Sequence, residues 1–117
     1  MAKKEECIFC KIIDGKIPCS KIYEDDNFWI MDDANPAADG HCLIIPKKHY
    51  STILDMPPSL GTELVSLAKR QGLRLIKEKK AEGFNLIQNN FSSAGQVVMH
   101  VHFHIIPRKA KDGLKIK

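Results

Sequence analysis

The chain has no apolar run approaching the roughly 20 residues that a membrane-spanning helix requires, so a membrane partner is not expected. It also lacks internal repeats, low-complexity segments and linker-like stretches. Its 117 residues are therefore expected to form one domain, 1–117, with a flexible basic tail over about 108–117. "MAKKEECIFC" turns acidic directly after its two lysines and has no signal-peptide core, which points to the cytosol. No basic stripe interleaved with aromatics is present, and part of the net charge of +4 sits in "RKAKDGLKIK". Nucleic acid is thus not an expected partner, whereas a small phosphorylated ligand suits the charge. Four cysteines in a reducing compartment argue against a disulfide framework. Cys7 and Cys10 form a C-x-x-C pair, open to metal binding or redox chemistry, while Cys19 and Cys42 stand alone and read as ordinary packing.

With 44% hydrophobic and 27% charged residues, the sequence is that of an ordinary globular domain. "CIFCKIID" has a short helical pattern that Gly15 and Pro18 end. "KIYED" and "NFWIMD" read as a hairpin of two strands, and "HCLIIP" as a third, apolar enough to be central. From Leu60, the spacing of Leu64, Leu67, Ala68, Leu75 and Ile76 predicts one long helix that stops at Gly83. Gly61 and Gly72 weaken that helix intrinsically, so it should depend on packing. "FNLIQNN" and "VMHVHFHIIP" read as the fourth and fifth strands, joined by the loop "FSSAGQ". The expected class is α+β, an antiparallel sheet of about five strands with one long helix and a short N-terminal helix.

Three of the five histidines fall at alternate positions of "HVHFHII". Side chains alternate along a strand, so His100, His102 and His104 share one face while Val101, Phe103 and Ile105 share the other. Three imidazoles on one face need partners. A chance surface cluster is one reading. A metal site completed by the C-x-x-C pair is a second, because neutral imidazole is a common ligand. Nucleophilic catalysis is the third, since an imidazole near its pKa at neutral pH can attack phosphorus or carbonyl carbon.

The run "HVHFHII" resembles the histidine triad signature, and further segments follow it in family order: "CIFCKIIDGKIP", "IYEDD", "MDDANPAADGH", "LIIPKKHY" and "QNNFSSAGQ". The resemblance spans nearly the whole chain and is closest to the Hint-like branch of nucleotide-binding hydrolases, in its bacterial-type, zinc-containing form. It implies a HIT-like fold and a hydrolase acting at the α-phosphorus of a purine nucleotide or nucleotide conjugate. His102 would be the nucleophile, forming a nucleotidyl-histidine intermediate, with His104 on the phosphate oxygens and His41 beside them. Asp33 would take the ribose hydroxyls, and Asn89, Gly95, Gln96 and Val97 would surround the phosphate, with backbone N–H groups of "SSAGQ" forming an anion nest. Ile8, Phe9, Ile12 and Met31 fall where the family forms its base pocket, although core packing explains them equally well. Cys7, Cys10, His49 and His100 would hold structural zinc. A thioredoxin-like redox pair is the rival for the cysteines, but no strand precedes them. The family also implies a homodimer built through the long helix and an edge strand. Val97 departs from the pattern: Hint-like enzymes carry Ser or Thr there, a hydroxyl that assists an amine leaving group.

Overall fold

A cysteine closes the first helical turn. In the computed structural model, which describes residues 6–115, Cys7 caps helix α1 (Ile8–Ile13), its Sγ accepting the Cys10 N–H at 3.3 Å. This i, i+3 relation puts both thiols on one side of the turn. Strands β1 (Lys21–Glu24) and β2 (Phe28–Asp32) then form the expected hairpin, whose turn is held by the Asp25 carboxylate accepting the Asn27 and Phe28 N–H groups at 2.9 and 2.7 Å. Strand β3 (Cys42–Pro46), helix α2 (Gly61–Glu78), β4 (Gly83–Ile87) and β5 (Phe103–Arg108) follow.

The five strands form one antiparallel sheet in the order β1-β2-β3-β5-β4. Strand alternation divides the core between its two faces. Phe28, Ile30, Cys42, Ile44, Phe103 and Ile105 pack with Leu64, Leu67, Ala68 and Leu75 of α2. Trp29, Met31, Leu43 and Ile45 pack on the other face with Cys7, Phe9, Cys10 and Ile12 of the α1 segment. Both β2 and β3 are therefore buried on two sides, which is why they read as continuous apolar runs. Gly72 is where α2 comes closest to β4: a Cβ there would lie 2.4 Å from the Phe84 ring. The cost of a glycine in mid-helix is thus offset by close helix–sheet contact.

One expectation is revised. The fifth strand was expected from Val98 onward, but the ladder begins only at Phe103. Continuing the β3–β5 register would set Val101 opposite Pro46, which has no N–H to give, and the Pro46 carbonyl instead accepts the His100 ring N–H at 2.8 Å. Val101 donates its own N–H to the Tyr50 carbonyl at 2.7 Å. The tail expected to be flexible from about 108 begins inside β5. The Arg108 guanidinium grips Asp112 at 2.8 and 2.9 Å, Asn85 at 2.9 Å and the Leu114 carbonyl at 2.9 Å. Residues 116–117 of that tail lie outside the described residues.

Candidate active site and metal centre

The histidines part company despite their regular spacing. His100 is fully buried and turns its Nδ1 toward Cys7 Sγ at 3.2 Å, Cys10 Sγ at 3.5 Å and His49 Nδ1 at 3.2 Å, while Cys10 Sγ lies 3.4 Å from His49 Nδ1. A tetrahedral ion with Zn–S near 2.3 Å and Zn–N near 2.05 Å spaces nitrogen from sulfur by about 3.5 Å and nitrogen from nitrogen by about 3.3 Å. The four donor atoms, all within 4.8 Å of one another, fit that ion. Because the Pro46 carbonyl accepts the His100 Nε2–H, the Nδ1 lone pair is left for the metal. Burial pushes the His100 pKa down to about 4, which keeps the ring in its neutral, ligating form. The set is complete without an open position, the pattern of a structural site.

His102 and His104 face a cavity of about 620 Å³ between α1, the end of β2, the 33–41 turn and the loop before β5. Ile8, Phe9, Ile12, Met31 and Leu43 give it an apolar end, whereas Asp33, His41, Asn89, His102 and His104 line its polar end. An apolar pocket with a few convergent polar groups is the form of a small-molecule site. Phe9 also sets its ring edge-on to His102, with centroids 5.1 Å apart. The His102 Nδ1–H donates to the His100 carbonyl at 2.7 Å, leaving Nε2 as the unprotonated nitrogen. Residue 100 thus serves both sites, its ring on the thiolate cluster and its carbonyl on the neighbouring imidazole. Burial lowers the pKa of His102, against the opposing pull of that carbonyl and of Asp33. Burial, aided by His102 and His41, takes His104 down to about 4. His41 is buried, with Nε2 3.0 Å from His104 Nδ1 and 3.3 Å from Asp33 Oδ2. His104 is therefore neutral at pH 7, and burial lowers the pKa of His41 as well, against the pull of Asp33.

The loop before β5 carries a different assignment from the one the motif suggested. Gln96 does not line the cavity. It is only 4% exposed, and its amide accepts the Phe91 N–H at 2.7 Å and donates to the Ser51 and Val98 carbonyls at 2.7 and 2.9 Å. The Ala94, Gly95 and Gln96 N–H groups turn back on the loop itself, bonding to Phe91, Ser92 and Phe91 carbonyls. The Val97 and Val98 amides take no partner among the described residues and border the cavity. An anion nest would therefore rest on those two rather than on "SSAGQ". Gly95, at φ 97°, makes the turn that presents them and lies against Asn89. The Val97 side chain is 90% exposed. Leu43, Val98 and the Pro18–Ser20 segment also line the cavity and were missed from sequence. Strand alternation placing Leu43 beside Met31 was the one available signal.

An antiparallel sheet with one long helix, a histidine-lined cavity and an adjoining Cys2His2 cluster together define the histidine triad class. A HIT domain profile matches residues 14–111, and the chain belongs to that family. It is 46% identical over 111 residues to adenylylsulfatase HINT3 of Arabidopsis thaliana, covering 95% of this chain and 56% of that protein. The chain thus spans little more than half that relative's length. It is 44% identical over 109 residues to adenosine 5′-monophosphoramidase HNT1 of Saccharomyces cerevisiae, covering 92% of this chain and 66% of that one. Among solved structures, a zinc-bound histidine triad family protein from Mycobacterium smegmatis superposes with a TM-score of 0.91 at 34% identity, covering 98% and 84% of the two chains.

Proposed function

We propose that this protein is a hydrolase or transferase that acts at the α-phosphorus of a purine nucleotide or nucleotide conjugate and releases a nucleoside monophosphate. The observation that carries this reading is the His102 imidazole on the cavity wall, whose Nδ1–H is committed to the His100 carbonyl so that Nε2 keeps its lone pair. In the first step Nε2 bonds to the α-phosphorus and the leaving group departs with the electrons of its bond. In the second, water bonds to phosphorus and the P–N bond breaks, returning His102 and the monophosphate. The apolar end of the cavity takes the base, Asp33 the ribose hydroxyls, and His104, Asn89 and the Val97 and Val98 amides the phosphate. The names of the two curated relatives, an adenylylsulfatase and a monophosphoramidase, support the same bond position.

Cys7, Cys10, His49 and His100 would hold zinc, which when bound would cross-link α1 to the segments that follow β3 and precede β5. We also read the chain as one HIT domain, working in the cytosol as a homodimer. Val65, Leu73 and Ile76 on α2, with Phe84 and Leu86 on the edge strand β4, leave apolar side chains exposed where a second copy would cover them.

One observation favours a second reading, a nucleotide-binding protein with weak turnover: Val97 supplies no hydroxyl at the cavity mouth. Turnover of adenosine 5′-phosphoramidate and of a dinucleoside polyphosphate by the wild type and by His102→Ala separates the two. The proposal expects the substitution to cost at least about a thousandfold in rate. Product formation that survives it ends the nucleophile assignment, and AMP binding without turnover of either substrate establishes the binding reading.

A further inference from the structure

His102 and His104 are the same residue type two positions apart, with ring centroids 5.1 Å from each other beside one cavity. Nothing in the side chains themselves says which should attack and which should hold a phosphate. Their partners do. The main-chain N–H of Ala37 lies 2.9 Å from His41 Nδ1 and can only donate, so that nitrogen must be the acceptor. A neutral imidazole carries one N–H, which in His41 is therefore on Nε2. That nitrogen lies 3.0 Å from His104 Nδ1, so His104 Nδ1 must accept in its turn. By the same count, the proton of His104 is on Nε2.

We propose that Ala37, through its backbone N–H, and His41 are positioning residues that fix His104 as the Nε2–H tautomer, so that it meets a phosphate oxygen as a neutral donor and has no free lone pair with which to rival His102. The phosphate half of this statement rests on the function proposed above; the tautomer half does not.

The opposite assignment fails on geometry. A proton on His104 Nδ1 would face the His41 Nε2–H at 3.0 Å. Moving the His41 proton to Nδ1 would instead face it against the Ala37 N–H at 2.9 Å. Asp33 does not displace this bond: its Oδ2 is 3.8 Å from His104 Nδ1, and although it lies 3.3 Å from His41 Nε2 as a charge contact, the hydrogen bond of that nitrogen is the shorter one, to His104 at 3.0 Å. The turn that aims the Ala37 N–H is itself well tied. Asp33 Oδ1 accepts the Asn35 N–H at 2.8 Å, and the Asp33 and His41 N–H groups close onto the His41 and Ala38 carbonyls, each at 3.0 Å. The same proton count disfavours a metal on Asp33, His41 and His104, whose donor atoms are close enough for one, because His41 Nε2 already holds hydrogen.

Multiple-bond ¹H–¹⁵N correlation spectra of the ligand-free protein, loaded with zinc, report each ring's tautomer directly. The expected wild-type spectrum has a bare Nδ1 and a protonated Nε2 for His104, with the reverse for His102. A His104 ring protonated on Nδ1 overturns the proposal. His41→Ala should give a mixture of His104 tautomers, and His41→Gln, which keeps an N–H donor at similar reach, should restore the wild-type pattern. An unchanged His104 spectrum in His41→Ala removes the positioning role. In single-turnover assays with adenosine 5′-phosphoramidate, His41→Ala should be at least about tenfold slower with AMP affinity nearly unchanged, and His41→Gln should recover most of the loss. Equal rates in His41→Ala and wild type also refute it. If wild type turns over no nucleotide while the spectra are as expected, the functional reading has failed and the tautomer assignment stands.

Discussion

Replacing Gln96 by alanine tests how the loop before β5 is held. The side chain makes three hydrogen bonds, to the Phe91 N–H and to the Ser51 and Val98 carbonyls, at 2.7, 2.7 and 2.9 Å. At about 1 kcal/mol net for each neutral bond, their loss costs about 3 kcal/mol. Some of this returns. Phe91 is held at φ 71° and ψ 156°, a region open essentially only to glycine, and a side chain there costs about 1–3 kcal/mol. A loop released from Gln96 can relax part of that strain, about 1–2 kcal/mol, so the net loss should be about 1–2 kcal/mol. For a chain of this size that lowers Tm by roughly 4–8 °C. Phe91→Gly should act in the opposite direction, raising stability by about 1 kcal/mol once the added freedom of glycine in the unfolded chain is deducted. The two changes should not add, since the strain can be relieved only once. Thermal and urea melts of the two single variants and the double variant measure this cycle. A Gln96→Ala protein that melts within about a degree of wild type, or strictly additive effects, would refute the reasoning. Val97 and Val98 ride on the same loop, so Gln96→Ala should also weaken AMP binding in titration calorimetry.

Purified protein should carry about one zinc per chain, and the Cys7→Ala, Cys10→Ala double variant should lose both the metal and part of its thermal stability; unchanged metal content defeats the Cys2His2 assignment. Gly72→Ala should cost about 1–3 kcal/mol despite the better helix propensity of alanine, because its Cβ would sit 2.4 Å from the Phe84 ring. A Tm equal to wild type would show instead that Phe84 swings aside. The His104 pKa is depressed from its ordinary 6.5 to about 4, so the unfolded chain binds the extra proton first. Its contribution to stability is complete above about pH 6.5 and is lost as acidification proceeds through about pH 4. Chemical denaturation across this window should give a steeper fall in wild type than in His104→Asn, and equal slopes would contradict the shift.

The strands, the two helices and many of the residues that line the cavity were legible in the sequence. Continuous apolar runs wrote β2 and β3, the spacing of Leu64, Leu67, Ala68 and Leu75 wrote α2, and the order of motifs pointed to residues around the cavity. Ile76 shows the limit of that signal: it continues the helical spacing but is exposed on α2, because periodicity does not say where the stripe ends. The early end of the β5 ladder was hidden for another reason. It depends on the β3–β5 register, whose continuation would set Val101 opposite Pro46 and which is fixed between strands far apart in the chain. Gln96 was assigned to the ligand from its place in a motif. Its three hydrogen bonds tie it to the loop and to Ser51, 45 residues away, and it does not line the cavity.

By itself the sequence determined the kind of domain and the inventory of chemical groups, since hydrophobic period and residue type are properties of the chain. It could not decide what each group does. His100, His102 and His104 are identical side chains at identical spacing. Only the fold brings the first to two thiols and His49, gives the second a carbonyl that bares Nε2, and places the third against a histidine whose proton Ala37 has already fixed. The physical reason is that a proton on an imidazole follows the hydrogen-bond partner, and here most of those partners come from distant segments brought together by the sheet.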